Sequence, residues 1–224
     1  MVQLSLLSAL ALAGVSLAAP SARSNVGVTI KNHCDVDLDV YKLTNGHGNT
    51  DTSYKLSSGA SKTVNVDSSW AGRFWACSPK DPKKCNHYGS PVSLAEFKFS
   101  GFQGVDFYDI SFVDGFNLPV KIKPNYKEQG EFGKYDCGAA TCSTLPSCPA
   151  GLEAEGGACK SACAAFGTDE YCCTGSYNGP NKCTASKYAR HFKSGCSDAY
   201  SYAYDDPDST FGCSSNGYTV TFCP

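Results

Sequence analysis

Hydrophobic and polar positions alternate with a period of two in several short stretches of this chain. Val26, Val28 and Ile30 alternate with Gly27, Thr29 and Lys31, and Val36, Leu38 and Val40 alternate with Asp37 and Asp39. The pattern returns at Val64 with Val66, at Phe97 with Phe99, at Leu118, Val120 and Ile122 against Lys121 and Lys123, and at Tyr218, Val220 and Phe222. Successive side chains on a strand point to opposite faces, so each stretch predicts a strand with one buried face and one wet face. Many short strands imply a mainly β fold, a sandwich or flattened barrel. Because strands stand near both ends of the chain, the terminal strands are expected to pair in one sheet.

Between Cys137 and Cys196 the alternation fades, Gly, Ala and Ser increase, and cysteines come every few residues. This predicts a separate disulfide-stapled lobe over residues 137–196. Within it, Thr184 or Ser186 is placed to cap a helix through Tyr188 and Phe192, which lie four apart on one face, with Arg190 and Lys193 turned outward. A second short helix is expected to start near Ser161.

The chain has 14 cysteines, none before Cys34 and one, Cys223, beside the C-terminus. Residues 2 to 19 carry no charge and end in small residues suited to signal peptidase, so 1–19 read as a signal peptide and the protein as secreted, extracellular or in a cell wall. Pro20, Ser21, Ala22 and Arg23 form a short tail open to trimming after Arg23, which puts the start of the folded domain at residue 24 and its end at 224. No other stretch approaches the roughly 20 apolar residues of a spanning helix, so no transmembrane segment is expected. The net charge of -2 argues against a polyanion as the main partner, which sets aside nucleic acid and anionic membrane. A Cys34–Cys223 bond would tie the two ends together and contribute on the order of 5 kcal/mol through loop closure.

Several blocks carry a resemblance: Gly72 Arg73 Phe74 Trp75; Ser93 Leu94 Ala95 Glu96 Phe97; Asp109 Ile110 Ser111; Val113 to Pro119; Glu170 Tyr171 Cys172 Cys173; Cys196 to Tyr202; and the closing Val220 to Pro224. In that order they resemble the thaumatin-like proteins, pathogenesis-related group 5, over the whole length after the leader. The resemblance implies a flattened β-sandwich of about eleven strands, a disulfide-rich loop and helix lobe, and an acidic cleft between them. It also implies the pairs Cys34–Cys223, Cys77–Cys85, Cys137–Cys213, Cys142–Cys196, Cys148–Cys159, Cys163–Cys172 and Cys173–Cys183. The fuller family pattern has sixteen cysteines. Here the loop between Cys77 and Cys85 is short, which puts substrate contacts from that side in doubt.

The resemblance further implies a cleft lined by Arg73, Glu96, Asp109, Asp114 and Asp198, the last preceded by Ser197 where the family pattern has proline. Read from the residues alone, Glu96 and Lys98 share one parity of a predicted strand and Phe97 and Phe99 the other, so Glu96 points away from the apolar face. Paired carboxylates are what glycosidic hydrolysis needs, one protonated to donate to the leaving oxygen and one ionised. Glu96, flanked by aromatics, is expected to be the general acid and Asp109 the base or nucleophile, with their separation setting the stereochemical outcome. Arg73, Asp114 and Asp198 would hold sugar hydroxyls or an aspartate, and Phe116, Tyr200 and Tyr202 are candidate stacking platforms or core.

The four histidines show no ligand spacing, and the adjacent Cys172 and Cys173 fit disulfides better than a metal, so no metal and no cofactor is expected. Lys80 to Lys84 form a short basic turn. Three readings stay open: hydrolysis of β-1,3-glucan, binding of β-1,3-glucan or another cell-wall polysaccharide without turnover, and a structural or defence protein whose cleft is incidental. A monomer is expected in each.

Overall fold

A computed structural model describes residues 23–81, 85–87, 89–125 and 135–224. The apolar leader and residues 82–84 of the basic turn lie outside these. The chain runs through β1 (Asn25–Asn32), β2 (Leu38–Thr44), β3 (Thr52–Leu56), β4 (Ser61–Asp67), β5 (Ala71–Cys77), β6 (Leu94–Lys98) and β7 (Asp106–Ser111). It continues through β8 (Gly115–Phe116), β9 (Val120–Pro124), β10 (Ala140–Cys142), β11 (Cys159–Lys160), β12 (Ala199–Tyr200), β13 (Phe211–Cys213) and β14 (Gly217–Phe222). The second strand starts at Leu38 rather than Val36, because the Asn32 side chain donates to the Val36 carbonyl at 2.9 Å and holds a turn there.

One sheet has the order β10-β9-β14-β1-β4. The larger has the order β12-β7-β6-β5-β2-β3, with β13 also paired to β7. The terminal strands pair directly and in parallel, from Gly27 opposite Gly217 to Asn32 opposite Phe222. Glycine is needed at 217, since a Cβ there would stand 2.7 Å from the Gly27 carbonyl oxygen. Beyond the last pair, Cys34 and Cys223 form a disulfide with Cα atoms 5.1 Å apart.

Inward positions of the two sheets meet in one core. Val26, Val28 and Ile30 of β1 and Tyr218, Val220 and Phe222 of β14 pack with Phe74, Phe97, Tyr108 and Ile110 of the other sheet. Tyr218 lies between them, its ring 5.5 Å from Phe97, 5.5 Å from Phe99 and 5.3 Å from Tyr108.

The lobe contains α1 (Ala162–Phe166), α2 (Asp169–Cys172) and α3 (Lys187–Gly195). Ser161 and Ser186 cap α1 and α3, their hydroxyls accepting from Ala164 and Ala189 N–H at 3.1 Å each. The pairs Cys137–Cys213, Cys142–Cys196, Cys148–Cys159, Cys163–Cys172 and Cys173–Cys183 staple this region, and Cys77–Cys85 closes the short loop after β5. Lys193 departs from the outward placement expected of it. Its ammonium lies 3.1 Å from Asp205 and donates to Ser209 Oγ at 2.6 Å, because the segment after β12 folds back across the end of α3. Among the described residues no helix is long and apolar enough to cross a membrane.

A buried charge ties the start of the chain to this core. Asp106 on β7 is fully buried; it accepts from Ser100 N–H at 3.0 Å and from the Tyr218 hydroxyl at 2.7 Å. Arg23 pairs with the same carboxylate, donates to the Ser215 carbonyl, and lies over the Phe99 ring at 5.6 Å. Removing one partner of a buried pair leaves the other charge uncompensated, at about 3–5 kcal/mol. In a chain beginning at Pro20, Arg23→Gln should therefore lower stability by about 3 kcal/mol, the low end of that range because Arg23 is partly exposed. Guanidinium unfolding checks this, and an unchanged midpoint would show that Asp106 does not depend on Arg23.

Candidate functional site

The outward face of the larger sheet has a row of charges set by strand register. Arg73 on β5 is directly opposite Glu96 on β6, and Glu96 is directly opposite Asp109 on β7. Their neighbours of the other parity, Phe74, Phe97 and Tyr108, are buried in the core, so the row must face away from it. Directly opposed residues on neighbouring strands have Cβ atoms about 4.5–5.5 Å apart. The row forms the floor of a cleft of about 310 Å³, whose lining also includes Ser111, Val113, Asp114, Tyr200 and Ala203.

Two walls rise from this floor. Asp114 stands on a turn in which Gly115 N–H donates to the Phe112 carbonyl at 3.0 Å. Gly115 has φ 131°, and a Cβ there would lie 2.2 Å from the Cys159 carbonyl oxygen, so only glycine lets the turn dock on the lobe. The other wall begins at Tyr200, which is opposite Ser111 in a parallel bridge. Asp205 fixes that wall by accepting from Ser201 N–H at 2.9 Å and Ser201 Oγ at 2.8 Å while pairing with Lys193. Beyond one end of the row, Leu43, Trp75, Cys77, Cys85, Val92 and Leu94 form a second small core, with Tyr41 packed against it.

Charge is out of balance in this cleft. Arg73 Nε lies 3.4 Å from Glu96 Oε1, and the same guanidinium also lowers the pKa values of Asp109 and Asp114. Desolvation outweighs it. Glu96 is raised, chiefly by desolvation and also by the Asp114 charge, against the opposing effects of Arg73 and a hydrogen bond from Ser111. Asp109 is held well above the usual carboxylate range by desolvation first, then by the charges of Glu96 and Asp206. Asp114 is raised by desolvation. Tyr200, also raised by burial, stays a neutral phenol and donates to Asp206 Oδ1 at 3.0 Å.

Four of the expected charged residues, Arg73, Glu96, Asp109 and Asp114, and one expected aromatic, Tyr200, line one cavity. Asp198 does not join them. It is buried, and its Oδ2 accepts from Thr141 N–H at 3.0 Å, because the chain crosses β10 there before entering β12. Phe116 is core rather than platform, its ring 5.1 Å from Phe112 and 5.0 Å from Phe192, where it joins sandwich to lobe. Tyr202 is turned to a neighbouring depression beside α1 and α3. Two residues that matter electrostatically are absent from the expected set. Ser111 is hidden by its ordinary strand context, whereas Asp206 had a visible signal in the Asp205 Asp206 pair just past Tyr202.

A model described as the Thaumatin family matches residues 32–224. This chain belongs to the thaumatin family. Thaumatin-like protein 1 of Castanea sativa is 39% identical, covering 98% of this chain and all of that protein. Pathogenesis-related protein 5 of Arabidopsis thaliana is 40% identical over 88% of this chain and 89% of its own length. A Prunus avium relative named glucan endo-1,3-beta-glucosidase is 38% identical over 88% of this chain and 90% of its own length. The acidic row on the large sheet is thus a feature of a chain in the thaumatin family.

The raised carboxyls make a stability prediction. A carboxyl whose native pKa exceeds its unfolded value binds more protons when folded, so stability falls as pH rises from about 4 through the raised value. Asp109→Asn should therefore raise stability at pH 7, by up to about 1 kcal/mol on the scale of a cross-strand like-charge pair. The gain should vanish near pH 3, where both forms are neutral. Unfolding by guanidinium at the two pH values checks this, and a variant less stable at pH 7 would contradict the charge imbalance.

Proposed function

We propose that this protein is secreted and that its cleft binds and hydrolyses β-1,3-glucan of cell walls. The observation that supports this reading is the register-locked row Arg73, Glu96, Asp109 beneath an open cavity, and the name of the Prunus avium relative points to the same substrate. The electrostatics support a division of roles. The aromatics beside Glu96 in sequence face the other side of the sheet, and Arg73 and Ser111 both favour its ionised form. Asp109, beside Glu96 and Asp206, is the more strongly raised of the two, which supports reading it as the proton donor. This reverses the assignment expected from sequence.

In the proposed reaction Asp109 donates its proton to the glycosidic oxygen as the bond to the anomeric carbon breaks. Glu96 serves the anomeric carbon, as nucleophile or as base toward the attacking water, and one water is consumed per bond cleaved. Arg73 favours the ionised form of Glu96 and positions it, while Asp114 and Tyr200 line the cleft for sugar hydroxyls.

Incubation with soluble laminarin tests this. Glu96→Gln and Asp109→Asn should each lower sugar release by about 10²–10⁴-fold, with thermal unfolding no lower than in the parent. The anomeric configuration of the first product, read by NMR, separates nucleophile from base. Saturable binding to insoluble glucan with no sugar released by the parent would establish a binding module instead. Absence of both would remove the glucan reading.

A further inference from the structure

The outward face of the smaller sheet lies across the core from the cleft and has the opposite charge. Its register builds two rows. Lys31 is opposite Thr221, which is opposite Lys121; Thr29 is opposite Thr219, which is opposite Lys123. Ser61 and Thr63 of β4 continue the rows beyond Lys31 and Thr29. Every charged side chain at the outward positions of β1, β9 and β14 is therefore a lysine. Among the described residues no ion pair engages Lys31, Lys121 or Lys123. Among the described residues, Asp67 at the far end of β4 is committed to Ser69 and buried Asp198 at the β10 edge to Thr141.

Neighbouring strands lie about 4.8 Å apart, so Lys31 and Lys121 stand about 10 Å from each other across Thr221. That is within one screening length of roughly 10 Å at 0.1 M salt, and the ammonium groups share one potential. A shallow depression of about 410 Å³ runs between the three lysines and is also lined by His33 and Asn125. The net charge of -2 averages over this face and the acidic cleft and conceals both.

The chemistry between the lysines narrows the partner. Thr29 and Thr63 share a hydroxyl hydrogen bond at 2.9 Å, and Thr219 donates to Asn125 Oδ1 at 2.6 Å, which gives a flat, fixed array of hydroxyl and amide groups. No aromatic or large aliphatic side chain occupies the outward positions of these strands. Stacking on nucleic-acid bases and insertion into a bilayer both need such side chains. Hydroxyls and carboxylates do not. We propose that this face binds an anionic polysaccharide of the polyuronate class, with Lys31, Lys121 and Lys123 meeting its carboxylates and the threonines its hydroxyls. Such a face would hold the protein on an acidic polymer while the cleft on the other side remains open.

Affinity electrophoresis through gels containing polygalacturonate tests the proposal. The parent should be retarded at about 50 mM salt and released at about 300 mM. The triple variant Lys31→Gln, Lys121→Gln, Lys123→Gln should lose about tenfold or more in affinity, the sum of three exposed ion pairs. Two controls isolate the face. Lys55→Gln, Lys98→Gln, Lys182→Gln removes the same net charge outside the smaller sheet and should bind as the parent does, and Glu96→Gln should also bind unchanged, which makes the result independent of the cleft. Equal retardation of the parent and the Lys31, Lys121, Lys123 variant would overturn the proposal. So would an equal loss in the Lys55, Lys98, Lys182 control, or stronger binding of the parent to phosphatidylserine vesicles or single-stranded DNA than to polygalacturonate.

Discussion

Two like charges placed directly opposite each other on adjacent strands repel, and this molecule holds Glu96 and Asp109 in that relation through the hydrogen-bonded ladder of β6 and β7. The ladder cannot slip to relieve them. A shift of one residue would turn Phe97 and Tyr108 out of the core, at a cost in apolar burial of a few kcal/mol per ring. Core packing on one face of the sheet therefore enforces charge crowding on the other. Arg73 offsets part of the crowding, but one guanidinium cannot balance Glu96, Asp109 and Asp114 together. Protonation supplies the rest, which is the condition that acid catalysis requires.

The remainder of the fold serves to keep that sheet rigid and its cleft bounded. Parallel pairing of β1 with β14 closes the smaller sheet around the first and last strands, and the Cys34–Cys223 bond fixes the closure. Tyr218 of β14 reaches into the aromatic cluster under the larger sheet and donates to buried Asp106, so the last strand and the cleft-bearing sheet share one core. The lobe contributes walls rather than floor. Phe116 against Phe192 seats it on the sandwich, and the Lys193–Asp205 contact fixes the segment from Tyr200 onward.

Charge is also segregated by the sandwich itself. Carboxylates gather in the cleft over the larger sheet and lysines on the outward face of the smaller one, with an apolar core between. A chain with nearly balanced totals thus presents an acidic cleft and a basic face on opposite sides of its core.

Much of this was legible in the residues. Alternation located β1, β4, β6, β9 and β14, since half-buried strands must alternate, and Ser161, and Thr184 or Ser186, marked where helices start, Ser186 being the cap in the second case. The parity of Glu96 against Phe97 and Phe99 showed which way the carboxylate points. What failed was long-range. Phe116 and Asp198 sit in sequence blocks that look like cleft, yet the lobe's docking buries the first and the approach to β10 captures the second. The electrostatic setting of Glu96 and Asp109 depends on Arg73, Asp114 and Asp206, which come from strands and loops far apart in the chain. Local alternation and capping act within a few residues and so can be read along a line. Which charges meet, and which aromatic is covered, is decided by strand register and lobe packing, and those exist only once the chain has closed on itself.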